Sequence, residues 1–511
     1  MQLLSPQPSR ERVGFLVPRW NDRPDPQVQG LPFRTFPVAG ALYHAGFEVV
    51  YCDQDRDLDR AGEWDELIER LEPCRIAFFW LSDFEPLLQI TNLLKIAARL
   101  KERLPALRLA AGGEILGVLP LEALDTSGPI DFFLRGYGDT GAPRLVEAVR
   151  GETPFDEVLG LVWNDGSRRY NPEPLVERMR PEHLTPYRLL DLSAYVQRGG
   201  IFGNGLGTLL VGSGRGCAKR CDFCYHGNHR LSVLSAPDLL DLVALLHERT
   251  GVRQFHLAEL DFLASRERAL ELARRWRARL PGCIWFSLAS VVDGIGLDEA
   301  ELALLAAGGC RKLELGTESG SGGVLRAMGK RHTPGDALEL SRRLLRHGIV
   351  PMHNFLFGTV GETEEDRRES RTLIRRLLEL DERVVLTFRI YQPLWETPMG
   401  EEALARAPGY PRRIDELLAH RHEYGEEDRH AMGWLDAAVE RRIKRMVFHD
   451  LPLAASRLQV PGRFPSLAYR GLRGLARARL RWGTAGDALD RWLYRRLVAR
   501  TLDHTFRCGS A

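Results

Sequence analysis

From residue 208 onward the chain repeats one unit six times: a short run of branched and aromatic residues, then a Leu-, Ala- and Arg-rich stretch with helical spacing. The strand-like runs are TLLVGSG at 208–214, RQFHLAELD at 253–261, CIWFSLAS at 283–290, CRKLELGTES at 310–319, IVPMHNFLFG at 349–358 and RVVLTFRIYQ at 383–392. Six successive units of roughly 30 to 40 residues predict a partial (β/α)6 barrel, with the functional groups on the loops that follow the strand C-terminal ends.

A different α/β stretch precedes this series. VGFLV at 13–17, FEVVYC at 47–52, RIAFFWL at 75–81, RLAAGG at 108–113 and IDFFLRG at 130–136 alternate with helical patterns at 38–46 and 86–104, the first of which Gly46 terminates. This reads as a doubly wound, Rossmann-like parallel sheet with crossover helices. GLVWNDGSRRYNP at 160–172 has an Asp-Gly turn between two strand-like runs, hence a hairpin, and Pro-punctuated segments follow it. Beyond about 405 the strands stop and the chain becomes Arg-rich and helical. The expected organisation is an α/β domain over 1–154, a hairpin and linker strapping two domains together over 155–200, the barrel over 201–405 and a helical region over 406–511.

Charge sets limits on partners. Lys+Arg 71 against Asp+Glu 69 gives +2 over 511 residues, so no chain-wide field calls for nucleic acid or an anionic membrane as the main partner. No apolar run reaches the roughly 18 residues of a spanning helix, and the opening MQLLSPQPSRERVGFLVP lacks the order of a secretory signal. Eight cysteines are too few for a disulfide framework, so the reducing cytoplasm is the expected compartment and thiols are available as ligands.

The densest chemistry lies in CAKRCDFC at 217–224, which puts Cys217, Cys221 and Cys224 at C-x3-C-x2-C spacing just after the first barrel strand, with Tyr225 next. Three thiolates on one loop can converge on one metal centre, and thiolate-only ligation selects zinc or an iron–sulfur cluster. Structural zinc wants a fourth closed ligand, for which His226 and His229 are nearest. A four-iron cluster on three cysteines keeps one iron open to a cofactor or substrate, and the barrel context favours it.

The motif and its place resemble the radical SAM superfamily. The resemblance implies that the open iron of a [4Fe-4S] cluster chelates S-adenosylmethionine, whose one-electron reduction by a donor such as flavodoxin or ferredoxin yields a hydrogen-abstracting 5′-deoxyadenosyl radical. It also implies cofactor contacts from Tyr225 beside the last cysteine, from Glu259 and Asp261 in LAELDF at 257–262, and from Glu318 and Ser319 in ELGTESGS at 314–321. FGTVGET at 357–363 resembles the family's glycine-rich turn, where Gly358 and Gly361 would let backbone approach the adenosyl part and Thr363 would cap a helix. YQPLWETPMG at 391–400 is similar to the segment after strand six, with Glu396 where that pattern has Gly.

In the N-terminal part, AGGE at 111–114, DFFLRGYGD at 131–139 and the GLVWNDG hairpin resemble the cobalamin-binding class of that superfamily, with Tyr137 where relatives have an acidic residue. No D-x-H-x-x-G follows the first strand and the loop at 18–35 holds no histidine, so no axial histidine is expected under cobalt; His44 reads as helix packing. The resemblance covers about 13 to 405. It implies cobalamin-dependent C-methylation of an unactivated carbon in a secondary metabolite, lipid or peptide, or alternatively cyclisation, rearrangement or oxidation without methyl transfer. A third reading is a zinc-holding regulatory module.

The remaining signals are plainer. Cys52, Cys74, Cys283, Cys310 and Cys508 show no ligand spacing. His353 and Tyr391 either point into the barrel toward substrate or pack. Arg470, Arg473, Arg477, Arg479, Arg481, Arg491, Arg495, Arg496, Arg500 and Arg507 with interleaved Leu and Trp make a basic amphipathic pattern, which reads as a solvated helical face capping the barrel. Its sharper alternative is peripheral contact with an anionic membrane or docking of a lipid-like or acidic substrate.

Overall fold

A computed structural model describes the chain except for residues 7–8, 20–31, 59–62, 82–85, 120, 125–127, 175–177, 198–205, 411–415, 417–432, 456–462 and 483–511. Both expected α/β units are present. The first sheet holds β1 (Gln2–Leu4), β2 (Arg12–Val17), β3 (Glu48–Asp53), β4 (Ile76–Trp80), β5 (Arg108–Gly113), β6 (Phe132–Arg135), β7 (Leu161–Asn164) and β8 (Arg168–Tyr170) in the order β1-β3-β2-β4-β5-β6-β7-β8.

β3, β2, β4, β5 and β6 are mutually parallel, and their apolar runs are buried on both faces, as a sheet covered by helices on each side demands. The chain moves outward from β2 to β3 and then returns past β2 to β4, so the winding direction reverses between β2 and β4. That reversal opens a crevice at the strand C-terminal ends, where ligands of such sheets sit. Trp80, the last residue of β4, lays its indole against two glycines: a Cβ on Gly112 or Gly138 would come within 2.0 or 2.1 Å of it.

Antiparallel strands finish both edges; the sequence pattern showed the hairpin at 160–172 but neither its pairing to the sheet nor β1. β1 pairs with β3, and the hairpin β7–β8 pairs through Phe133↔Val162 with β6. The hairpin is therefore sheet, not linker; only the Pro-punctuated stretch after it crosses over. That stretch is bound at both ends of its path, since Gly212 N donates to Tyr187 Oη at 2.7 Å and a Cβ on Gly40 would lie 2.0 Å from His183 O.

The second sheet holds β9 (Thr208–Gly212), β12 (Gln254–Ala258), β13 (Ile284–Ala289), β14 (Cys310–Glu318), β15 (Val350–Phe357) and β16 (Val385–Ile390), all parallel and in sequential order. Sequential parallel order with a helix after each strand is the topology of an open barrel. A separate ribbon, β10 (Gly214–Arg215) with β11 (Ser232–Val233), brackets the cysteine loop. Alternation along β15 separates Val350, Met352, Asn354 and Leu356, half-buried on the inner face, from Pro351, His353, Phe355 and Phe357, buried beneath the helices.

The apolar core runs without a break from the first sheet through Tyr187 and Tyr195 into β9, β12, β13 and β14. A second cluster joins the opposite face of the first sheet to Met328, Tyr391, Trp395 and Met399 of the barrel. Helix Arg463–Trp482 lays Tyr469, Leu472, Ala476 and Leu480 onto helix Glu364–Leu380, which places the described half of the basic tail as a cap on the barrel. The arginines from 491 on and Cys508 lie outside the described residues. Among the described residues no helix is long and apolar enough to cross a membrane.

Candidate active site

The three cysteines sit at the C-terminal end of β9, where strand-end loops carry function. Gly216 turns the chain into this loop with φ +67, and a Cβ there would meet Arg230 O at 2.3 Å, so the entry depends on glycine. Cys217 N donates to His229 O (3.2 Å), Cys224 N to Cys221 O (3.0 Å) and Asp222 N to Met328 O (3.0 Å), which fix the loop at both its ends and its middle. All three thiols are free and partly exposed. Burial raises each thiol's pKa, that of Cys224 to about 12; the neighbouring cysteines add to the rise at Cys217 and Cys224, and Glu318 and Asp222 add to it at Cys221. A cationic metal centre would reverse that balance by favouring the thiolates.

Two carboxylates face this loop. Asp261 Oδ1 accepts from Ser290 N at 3.0 Å, while Oδ2 is buried without a hydrogen-bond partner and has Lys219 Nζ 3.8 Å away. Burial raises its pKa to about 6; Ser290 N–H opposes that rise and Asp293 adds to it. Glu318 stands at the end of β14 with φ +59, an uncommon conformation for a residue with a side chain. Its carboxylate binds Lys330 Nζ at 2.9 Å. Although burial alone would lower the Lys330 pKa, Glu318 and Cys221 hold it raised, so a fixed cation lies beside the cysteines.

The turn at 357–363 has Gly358 at φ +79 and Gly361 at φ +77. Glu362 Oε2 accepts from Gly358 N (2.8 Å) and Trp434 Nε1 donates to Gly358 O (2.9 Å). Thr363 caps helix Glu364–Leu380 in a reciprocal capping box with Asp366, as the sequence predicts.

Other expected contacts are engaged elsewhere. The Glu259 carboxylate is buried against Arg268, with Nη2 at 2.6 Å and Nη1 at 3.1 Å. Ser319 is buried, with Oγ 3.0 Å from Ser370 Oγ. The Tyr225 ring is inserted toward the first domain, its hydroxyl 2.6 Å from His229 Nε2 and in the place a Cβ on Gly117 would fill. Tyr391 does not line the barrel interior either: it packs edge-on to Trp434 at 6.0 Å in an aromatic group with Trp395 and Tyr410.

His353 lies on the helix side of β15, wholly buried between Thr317 Oγ1 (2.7 Å) and Ser341 Oγ (2.9 Å). Burial and the nearby His332 lower its pKa to about 3. An unfolded histidine protonates near 6.5, so between about 6.5 and 3 the unfolded chain binds the extra proton and stability falls with pH. The urea midpoint of the metal-free protein is expected to drop as pH is lowered through this window, and to drop less steeply in His353→Asn.

The sequence pattern gave no warning of a polar seam that fastens the cysteine loop to the first domain. Arg215 makes a bidentate pair with Asp139 (2.6 and 2.7 Å), which also binds His183 Nδ1 at 3.1 Å. Gly216 N donates to Tyr137 Oη at 2.6 Å, so the residue that replaces the relatives' acid holds the loop by its hydroxyl. Glu114 binds Arg34 at 2.7 Å and His226 at 3.3 Å. Arg135 reaches Glu173 at 3.1 Å and Glu396 at 2.9 Å. Glu396 has φ +62, which explains why a glycine suits this position in the similar segment: the left-handed turn is kept, at a cost of about 1–2 kcal/mol, and the Arg135 pair offsets it.

Residues 211–374 match the model of the radical SAM superfamily. The chain is 25% identical over 281 residues to an uncharacterised methyltransferase of Pyrococcus horikoshii, an alignment that takes in 54% of this chain and 58% of that one. It thus spans little more than half the length of that relative. Two solved structures share the fold. The radical S-adenosylmethionine methyltransferase TsrM from Kitasatospora setae, with cobalamin and a [4Fe-4S] cluster bound, superposes with a TM-score of 0.64 at 20% identity over 97% of this chain and 99% of that one. The cobalamin-dependent S-adenosylmethionine radical enzyme OxsB, with aqua-cobalamin and S-adenosylmethionine bound, gives a TM-score of 0.68 at 14% identity over 96% and 76%.

Proposed function

From the premise that this chain carries a radical SAM domain over residues 211–374, joined to an α/β domain in the arrangement of the cobalamin-dependent members, we propose that it is a cobalamin-dependent radical SAM C-methyltransferase. The observation that carries the reading is the cysteine loop itself, three free thiols at a barrel mouth held against the crevice end of a doubly wound sheet. When bound, the cluster and S-adenosylmethionine supply a 5′-deoxyadenosyl radical and cobalamin supplies a transferable methyl group.

The donor set fits this assignment. Cys217, Cys221 and Cys224 would hold three irons, each cysteine on a different one. The buried Asp261 Oδ2, which accepts no hydrogen bond and has Lys219 Nζ 3.8 Å away, suits an ammonium group, and Lys330 with Glu318 sets a fixed dipole beside the thiols. Gly358 and Gly361, both at positive φ, leave two positions of the turn after β15 without a side chain, where backbone can approach a flat ligand. Tyr225, Glu259 and Ser319 keep the loop and strand ends in place. The crevice between β2 and β4 is the place for a broad, largely apolar macrocycle.

The substrate is a small molecule, lipid or peptide with an unactivated carbon; reduction needs an external electron donor, and the compartment is the cytoplasm. The basic C-terminal helix acts as a cap on the barrel. Anaerobic reconstitution with iron, sulfide and hydroxocobalamin, followed by metal analysis and assay for 5′-deoxyadenosine, tests the reading. Four irons and one cobalt retained per chain, with 5′-deoxyadenosine formed, is the expected result; zinc in a colourless protein overturns it. Iron without cobalt instead favours cyclisation, rearrangement or oxidation.

Glu318→Ala is expected to leave the cluster in place and weaken S-adenosylmethionine binding by about tenfold or more, equivalent to about 1.4 kcal/mol. Calorimetric titration of the cluster-loaded protein reads this directly, and an unchanged affinity would remove Glu318 from the site.

A further inference from the structure

The inner face of the second sheet carries side chains that none of these roles uses. Register sets His256, Phe286 and Lys312 in one layer, and Leu288, Glu314, Met352 and Val385 in the next toward the mouth. Asn354 with Thr387, and then Leu356 with Arg389, follow nearer the mouth on β15 and β16. The lowest layer is a closed floor. His256 stacks on Phe286 with centroids 4.2 Å apart, and the buried Lys312 lies 4.5 Å over the same ring and 3.4 Å from Met352 Sδ.

Above the floor runs a directional hydrogen-bonded row. Thr387 Oγ1 donates to Asn354 Oδ1, and Asn354 Nδ2 donates to Glu314 Oε1 at 2.8 Å. Every proton in the row points toward Glu314, so the carboxylate ends it as an acceptor. Its other oxygen accepts no hydrogen bond from the described residues. Glu314, Asn354 and Thr387 are half-buried, as are Leu288, Met352 and Leu356 around them, so this face borders space open to water. A carboxylate with an unused acceptor, set among apolar side chains and facing the buried Lys312 of the floor from above, offers that acceptor to a donor, and an ammonium gives the stronger, charge-assisted bond.

We propose that this inner face is a ligand subsite for an amine with an apolar body, which seats its ammonium on Glu314 and its hydrocarbon against Leu288, Met352 and Leu356. That the amine is part of the enzyme's substrate rests on the function proposed above. Binding itself does not.

The test uses the full-length, cluster-loaded protein without S-adenosylmethionine, titrated with three matched probes: hexylamine, hexan-1-ol and hexanoate. Hexylamine is expected to bind at least about tenfold more tightly than hexanoate, and Glu314→Gln to remove most of that preference. Leu288→Trp, which fills the face beside Glu314 while keeping the carboxylate in the chain, is expected to weaken hexylamine and hexanol alike. Iron content and visible spectrum report whether each variant is folded; if Glu314→Gln is not, Leu288→Trp decides. Hexanoate binding equal to or tighter than hexylamine overturns the proposal, as does hexylamine binding that no folded variant alters. Because no adenosyl chemistry enters the titration, failure here leaves the methyltransferase reading standing, and failed cleavage in the earlier assay leaves this subsite standing.

Discussion

Cys221→Ala is expected to remove iron and S-adenosylmethionine cleavage together while the chain stays folded. The cysteine loop is fixed by backbone bonds from Cys217, Asp222 and Cys224 and by the side chains of Arg215 and Tyr137, and the sulfur that accepts a bond within it, from Lys219 N at 3.4 Å, is that of Cys217 and not of Cys221. Losing one thiol therefore leaves the loop in place but strands the metal centre with two ligands. Changes to residues that merely support a metal site cost about 10- to 100-fold, so loss of a ligand is expected to exceed 100-fold in 5′-deoxyadenosine formation. Iron analysis, the visible spectrum and circular dichroism on one preparation separate the effects. Retained iron with a native spectrum would sink the cluster assignment.

The second large effect is expected at Arg215→Met. Both members of the Arg215–Asp139 pair are almost fully buried, and burial, which alone would raise the Asp139 pKa, is outweighed by His183 and Arg215, which hold it lowered. Removing the guanidinium leaves that carboxylate charged and short of its bidentate partner, a change worth about 3–5 kcal/mol. The urea midpoint of the metal-free protein should fall accordingly. The double variant Arg215→Met/Asp139→Leu should recover much of the loss, because replacing both members of a buried ion pair by apolar groups costs far less than orphaning one. If the double variant is no more stable than the single one, the pair does not act as described.

Much of the fold was legible because the strands announce themselves. Each apolar run that sequence reading took as a strand in either α/β unit is one, and Gly46 (φ +91) and Thr363 mark the helix ends expected of them. A strand buried on both faces has to be a continuous apolar run, and that is a local property of the chain. Edge strands are not bound by it: β1 is three residues long and leaves no such run, and although the Asp-Gly turn marked the β7–β8 hairpin, nothing local showed that the hairpin pairs with β6 and so belongs to the sheet rather than to a linker.

The site divides along the same line. Cysteine spacing is a local signal, as is a glycine at positive φ, and both led to the mouth. Which way Glu259, Ser319 or Tyr225 would turn depends on Arg268, Ser370 and His229, partners that only packing brings near. His353 shows the limit well: strand parity alone could not tell the inner from the outer face, and the bulge in register between Leu315 and Glu318 shifts β14 against β15 at that height. Glu396 gives the reverse lesson. A departure from a glycine pattern looked like a lost turn, yet the turn persists at φ +62 because the side chain found a cation to hold.

The seam also governs how parts of this chain can be recombined with those of its relatives. Tyr137, Asp139, Glu114 and Arg135 are contributed by one α/β unit, and Arg215, Gly216, His226 and Glu396 by the other, so each contact is completed only when both halves come from matching parents. A hybrid joined in the crossover between the sheets would set a foreign side chain at position 137 against the amide of Gly216 beside the first cysteine, and a residue other than Glu at position 396 would leave Arg135 with only Glu173 and Gly117 O. Transplanting the barrel therefore means transplanting those facing residues as a set, and the boundary that the backbone suggests is not the boundary along which the chemistry can be exchanged.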